Sequence, residues 1–162
     1  MMEMATGITI YPWVKALHVI TSIILVGTGL GSAFFKCRVD RFGDLSAIVF
    51  ASKTVVLVDW LFTAPAVVLQ PLSGLLLAHW GGYSLTQPWL KAGIGMYLLA
   101  GLCWLPAVYL QIRMRDLALE AVRCNAPLPI RYQHLSRIWF WLGVFGFGAA
   151  LLTVLIMVVK PI

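Results

Sequence analysis

Apolar residues dominate four stretches of the chain, and each stretch is long enough to cross the hydrocarbon core of a bilayer as a helix. We place these spans at about residues 12–35, 55–78, 88–112 and 138–159. The second helix is expected to begin before its span, and Pro65 and Pro71 are expected to kink it. Because no strand pattern competes, the sequence predicts an all-α fold, a polytopic membrane four-helix bundle forming a single domain over residues 1–162.

Small and polar residues recur within each span at alternating steps of four and three, which places them on one helix face. Lipid-facing surfaces do not need such residues, whereas closely packed helices and hydrogen bonds between helices do, so these faces are expected to point inward. The faces are His18, Ser22, Leu25, Gly29 and Ser32; Asp59, Thr63, Ala66, Gln70 and Ser73; Gly93, Met96 or Tyr97, Ala100, Cys103 or Trp104, Ala107 and Gln111; and Gly143, Gly146, Ala150, Thr153 and Met157.

Two polar residues of the second span call for a structural explanation. Gln70 lies near mid-membrane, where we expect it to satisfy backbone carbonyls freed by the prolines rather than to touch a ligand. Asp59 lies near the inner end of the span, and an ion pair with Arg113 or Arg137 is favoured over a role as a proton relay, because charges inside membranes usually pair.

Composition and charge agree with a membrane protein. The chain is 61% hydrophobic and 11% charged, with a mean hydropathy of +0.92, which excludes an ordinary soluble domain. Basic residues concentrate in two regions, which predicts that these regions are cytoplasmic, that both termini face outward, and that the protein resides in a bacterial inner membrane. The loop asymmetry accounts for the net charge of +6 without nucleic-acid binding. The two regions hold Lys36, Arg38, Arg41 and Lys53, and Arg113, Arg115, Arg123, Arg131 and Arg137.

The outer half of the predicted bundle contains candidate ligands for heme iron. Imidazoles and thioethers are the usual axial ligands, and bundle cores often hold such cofactors. His18 is the main candidate for the metal, because an imidazole in lipid is costly unless it is used, although a hydrogen-bonded core histidine is an equal alternative. The competing second ligands are His79, Met96 and Met157, and the lysines that would hold heme propionates are Lys15 and Lys91.

Short motifs add resemblances to known families. TrpValLysAlaLeuHis at 13–18, ProTrpLeuLys at 88–91 and ValValLysPro at 158–161 resemble bacterial membrane proteins of the HemJ type. That resemblance implies heme b held by His18 and oxidation of protoporphyrinogen IX. The segment from Asp59 to Pro71 is more closely similar to an uncharacterised family of bacterial predicted integral membrane proteins, the domain of unknown function 2269, which implies membership but no activity.

The leading hypothesis is therefore a heme b-binding redox protein that performs HemJ-like porphyrinogen oxidation or electron transfer. Its expected partners are the lipid bilayer, a porphyrin or quinone, and a redox carrier, and homo-oligomerisation is left open. One alternative is a cofactor-free accessory or scaffold subunit of a membrane complex. Another is a small transporter, which Asp59 and Gln70 support but which closely packing glycines oppose.

Overall fold

Helices make up nearly the whole protein. The computed structural model describes the backbone of residues 2–161 and the side chains of residues 10–161. Helix accounts for 89% of it, and the described chain contains no strand, which confirms the predicted all-α class. The elements are α1 (Met2–Phe42), α2 (Leu45–Val58), a π-helical turn (Asp59–Thr63), α3 (Ala64–Trp80), α4 (Pro88–Arg123) and α5 (Ile130–Val159).

Within the described residues, four helical segments are long and apolar enough to cross a membrane, and each contains one of the predicted spans. They are Ile10–Phe42, Leu45–Trp80, Pro88–Arg123 and Ile130–Val159. The 36 residues of α4 extend for about 54 Å at about 1.5 Å per residue, which exceeds a hydrocarbon core of about 30 Å. The helices therefore continue beyond the hydrocarbon on the side where the basic residues lie.

The loop expected after the first span is much shorter than the sequence suggested. Lys36, Arg38 and Arg41 belong to α1, and only Gly43 and Asp44 separate α1 from α2. Gly43 adopts a φ of 81°, which glycine tolerates without a Cβ clash. The Asp44 carboxylate then accepts a hydrogen bond of 2.7 Å from the Ala47 backbone N–H and caps α2.

The second span changes its helical winding in the middle. The Ala64 N–H bonds to the Asp59 carbonyl, five residues back, within the π-helical turn. Pro65 follows immediately and has no N–H to offer the carbonyl of Leu61. The break in α-helical hydrogen bonding expected at Pro65 is thus accommodated by a π-helical turn, whereas α3 continues through Pro71.

The main hydrophobic core lies at the end of the bundle that carries the basic residues. There α4 packs on α5 and on α2, and its side chains interlock with those of both neighbours. Elsewhere in the bundle α1 packs mainly on α3, and α4 packs mainly on α5. The core residues are Ile48, Ala107, Leu110, Met114, Ala118, Tyr132 and Trp139.

A buried ionic network ties α1 to α5 beside this core. Lys36 is only 1% exposed, and its ammonium contacts Asp40 at 2.5 Å and the hydroxyl of Tyr132. The Tyr132 hydroxyl donates to Asp40 Oδ1 at 2.8 Å, and the Ser136 hydroxyl donates to Oδ2 at 3.3 Å. Lys36 is therefore a buried structural residue rather than a loop residue of a basic surface.

Candidate ligand cavity

A cavity of about 490 Å³ lies inside the bundle, walled by α1, the π-helical turn, α3, α4 and α5, and most of its surface is apolar. The inward faces predicted from small and polar residues supply much of the wall, which confirms their orientation. The residues that line it from those faces are Ser22, Leu25, Gly29 and Ser32; Asp59, Thr63 and Gln70; Tyr97, Ala100, Cys103, Trp104, Ala107 and Gln111; and Gly143, Gly146, Ala150 and Thr153.

The glycines of these faces differ in what they touch. A Cβ at Gly146 would lie 3.0 Å from the Cβ of Cys103, so this glycine permits close packing of α4 and α5. At Gly101 and Gly143, which also line the cavity, a Cβ would meet nothing within 4 Å. The small residues thus hold the helices together at some levels and leave open space at others.

Apolar side chains of α1 and α5 line the cavity and are also exposed. Leu30 and Phe34 of α1 are 57% and 68% exposed, and Phe140 and Val144 of α5 are 43% and 44% exposed. Because all four side chains are apolar, this part of the cavity wall is suited to face the lipid hydrocarbon.

Asp59 lies in the cavity wall at the start of the π-helical turn. Its side chain is buried, with 7% of the residue exposed, and Oδ1 accepts a hydrogen bond of 3.0 Å from the Thr63 hydroxyl. Oδ2 has no hydrogen-bond partner among the described residues. The expected ion pair with Arg113 or Arg137 does not form, because neither arginine takes part in a salt bridge within residues 10–161.

Two further buried polar atoms of the wall have no hydrogen-bond partner in the described part of the chain. They are Oε1 of Gln111, a residue that is 8% exposed, and the indole Nε1 of Trp104. Both residues line the same cavity as Asp59. Buried polar atoms in native proteins are usually paired, so three unpaired atoms on residues that line one cavity call for an explanation.

His18 lies outside this cavity and is held by α3. Its Nδ1 lies 2.9 Å from the Ser73 hydroxyl, and its Nε2 lies 3.2 Å from Gln70 Nε2, so both ring nitrogens are engaged. A Cβ added at Gly74 would lie 3.0 Å from the Cε1 atom of His18, which shows how closely the ring packs on α3. This environment is that of the hydrogen-bonded core histidine.

Gln70 connects α1 to α3 through its side chain and not through the backbone. It donates to the Ser22 hydroxyl at 2.7 Å and accepts a hydrogen bond from Thr21. The carbonyl that Pro71 frees belongs to Val67, four residues earlier, and it accepts a 2.5 Å hydrogen bond from the Tyr97 hydroxyl of α4. The expectation that Gln70 satisfies that carbonyl was wrong, because Tyr97 reaches it from the neighbouring helix.

The other candidates for a heme site do not converge on His18. His79, Lys15 and Lys91 are exposed, and Met157 packs against Gly93, where a Cβ would lie 3.5 Å from the methionine sulfur. Neither these residues nor the half-buried Met96 line the cavity. Residues 10–161 also contain no group of three histidine, cysteine or acidic side chains placed to hold a metal. An iron ligand at His18 Nε2 would replace the contact with Gln70, whereas the Nδ1 contact with Ser73 could remain, as is usual for metal-bound histidines.

Fold and cavity together define a polytopic helical membrane protein with a largely apolar cavity inside its bundle. The chain belongs to the DUF2269 family, described as predicted integral membrane proteins, whose family model matches residues 12–161. No curated protein and no solved structure matches the chain.

Proposed function

We propose that the protein binds a lipid-soluble molecule with a polar end inside its bundle. The observation that carries this proposal is the set of unpaired polar atoms of Asp59, Trp104 and Gln111 in the wall of an otherwise apolar cavity. An apolar body would fill the cavity, and a polar end would supply the missing hydrogen bonds. Leaving such atoms unpaired costs about 1–3 kcal/mol each, which favours occupancy.

The path into the site supports a ligand that comes from the membrane. We propose entry between α1 and α5, where the cavity wall carries exposed apolar side chains such as Phe34 and Val144. A molecule already dissolved in the bilayer can enter there without meeting water, whereas a soluble metabolite would first have to partition into lipid. Closely packing glycines would oppose a transporter, but Gly101 and Gly143 face open space. Release of the molecule from the other end of the cavity is therefore compatible with this proposal.

Native mass spectrometry of protein released from membranes in mild detergent tests the proposal. Gly143→Leu places a side chain in the open space of the cavity, and we expect the bound molecule to be lost from this variant. Gly148→Leu is the matched control, because Gly148 lies on the same helix, also has nothing within 4 Å of a Cβ, and does not line the cavity. Equal occupancy in both variants, or no bound molecule in the unmodified protein supplied with total membrane lipid, would contradict the proposal.

The other functions expected from the sequence differ from this one in what they predict. A heme-linked redox role, HemJ-like or otherwise, requires one ring nitrogen of His18 to exchange its present hydrogen-bond partner for iron, and it predicts a heme spectrum that depends on His18. A scaffold subunit requires no bound molecule, and it predicts that Gly143→Leu and Gly148→Leu behave alike. Residence in a bacterial inner membrane, with both termini outside, follows from the basic residues alone and belongs to the same proposal.

A further inference from the structure

We infer that the molecule bound in the cavity is a lipophilic cation whose positive charge is balanced by Asp59, and that the cation exchanges with a proton. This inference rests on the proposed function, because it names the chemical class of the ligand at the same site. It concerns one buried carboxyl group and its surroundings.

Asp59 needs a balancing positive charge when its carboxyl group is ionised. Asp59 is the only acidic side chain of the described chain that lines the cavity, and its Oδ2 lacks a partner. A carboxylate surrounded by hydrocarbon must either carry a proton or stand beside a positive charge. No basic side chain of the described residues forms a salt bridge with Asp59, so its ionised form requires a positive charge that comes with the ligand.

Aromatic rings of the wall also favour a cation. They include the rings of Tyr97, Trp104 and Trp139. Ring faces attract ammonium and phosphonium groups, most strongly where water is excluded. An anionic ligand would instead meet the carboxyl group of Asp59.

Proton exchange follows from keeping the charge of the cavity constant. Without a ligand, Asp59 holds a proton as a carboxylic acid. When a monocation enters, the O–H bond of Asp59 breaks and the proton leaves to water. The carboxylate and the cation then form an ion pair. No oxidant or reductant is needed. The other titratable groups that line the cavity are Cys37, Arg41, Tyr97 and Cys103, and the described residues of α5 add none. The Arg41 side chain is exposed, so its charge is solvated at the rim of the cavity.

Two probes of similar shape and different charge test the inference on the full-length protein in detergent or nanodiscs. The cationic probe is tetraphenylphosphonium, and the neutral probe is triphenylphosphine oxide. We expect the cation to bind, to release a proton to a weakly buffered solution, and to bind more weakly as the pH falls, because protons compete for Asp59. Asp59→Asn is expected to weaken cation binding by about tenfold or more while leaving neutral-probe binding within about twofold.

Several results would overturn the inference, and they separate it from the proposed function. If the cation binds equally well to Asp59→Asn, or binds without proton release, the role of Asp59 is refuted. If only the neutral probe binds, in a manner sensitive to Gly143→Leu, the cavity function stands and the cation fails. If neither probe binds and no endogenous molecule is found, both fail. Asp59→Glu, which keeps the carboxylate, must retain cation binding, and neutral-probe binding shows that each variant is folded.

Discussion

At the scale of single residues, His18 illustrates how an imidazole in a membrane can be used without a metal. Its two nitrogens join α1 to α3 through Ser73 and Gln70. Each hydrogen bond between membrane helices contributes about 0.5–2 kcal/mol. The sequence showed that the ring needs a partner, but it did not show which one. Polar side chains on α3 and a bound iron would each explain a histidine at this place in a membrane helix.

His18→Ala is therefore expected to lower the free energy of unfolding by about 1–4 kcal/mol, the sum of two such bonds, and to leave probe binding in the cavity unchanged. Unfolding in mixed micelles and a probe titration measure the two effects. Ser84→Ala, in the exposed loop before α4, serves as a control with little effect. A Soret band in the purified protein that disappears in His18→Ala would contradict this reading and support the heme site expected from the sequence.

Two lysines of the chain form contacts with tyrosine in very different surroundings. Lys36 is buried with Asp40 and Tyr132, whereas Lys160 donates to the exposed Tyr83 hydroxyl at 2.8 Å. Removing one partner of a buried ion pair typically costs about 3–5 kcal/mol, whereas an exposed contact contributes about 1 kcal/mol or less.

Lys36→Met is therefore expected to destabilise the protein by about 3 kcal/mol, and the matched control Lys160→Met by about 1 kcal/mol or less. Adding Asp40→Asn to Lys36→Met should recover part of the loss, because no unpaired carboxylate then remains. Chemical unfolding of the four proteins gives the comparison. Equal effects of the two single substitutions would show that Lys36 is solvated in the native protein.

At the scale of elements, sequence patterns located all four membrane helices. They did not show how the second helix satisfies the backbone groups that its prolines leave without a hydrogen bond. Hydropathy and length fix a span because the bilayer sets both. The π-helical turn at Asp59–Thr63 and the Tyr97 bond to the Val67 carbonyl depend on which helices become neighbours, and that information is not local. The i,i+4 spacing of Lys36 and Asp40 was a local signal that could have revealed their ion pair.

The link between α3 and α4 can be tested by a double-mutant cycle. Tyr97→Phe removes the donor to the Val67 carbonyl and should cost about 1 kcal/mol. In a Pro71→Ala background the residue at 71 regains an N–H that can bond to the same carbonyl, so Tyr97→Phe should cost less there. Unfolding free energies of the four proteins close the cycle. An unchanged cost in both backgrounds would mean that the hydroxyl serves another partner.

At the scale of the whole molecule, the inward faces were predictable and the space between them was not. Small and polar residues at helical spacing indicate which side of a helix avoids lipid. Whether two such faces touch, as at Gly146, or stay apart, as at Gly143, depends on side chains from the opposite helix and on how the helices pair. The sequence thus pointed to Asp59 and Gln111 as interior residues, but it did not show that they share one cavity.

Whether a lipid-soluble molecule occupies this cavity can be seen in an experimental density map of the protein in lipid nanodiscs. We expect non-protein density between α1, α4 and α5, with a polar end within hydrogen-bonding distance of Asp59, Trp104 or Gln111. A map in which α1 and α5 close together, and in which these three side chains bond only to one another, would contradict this expectation.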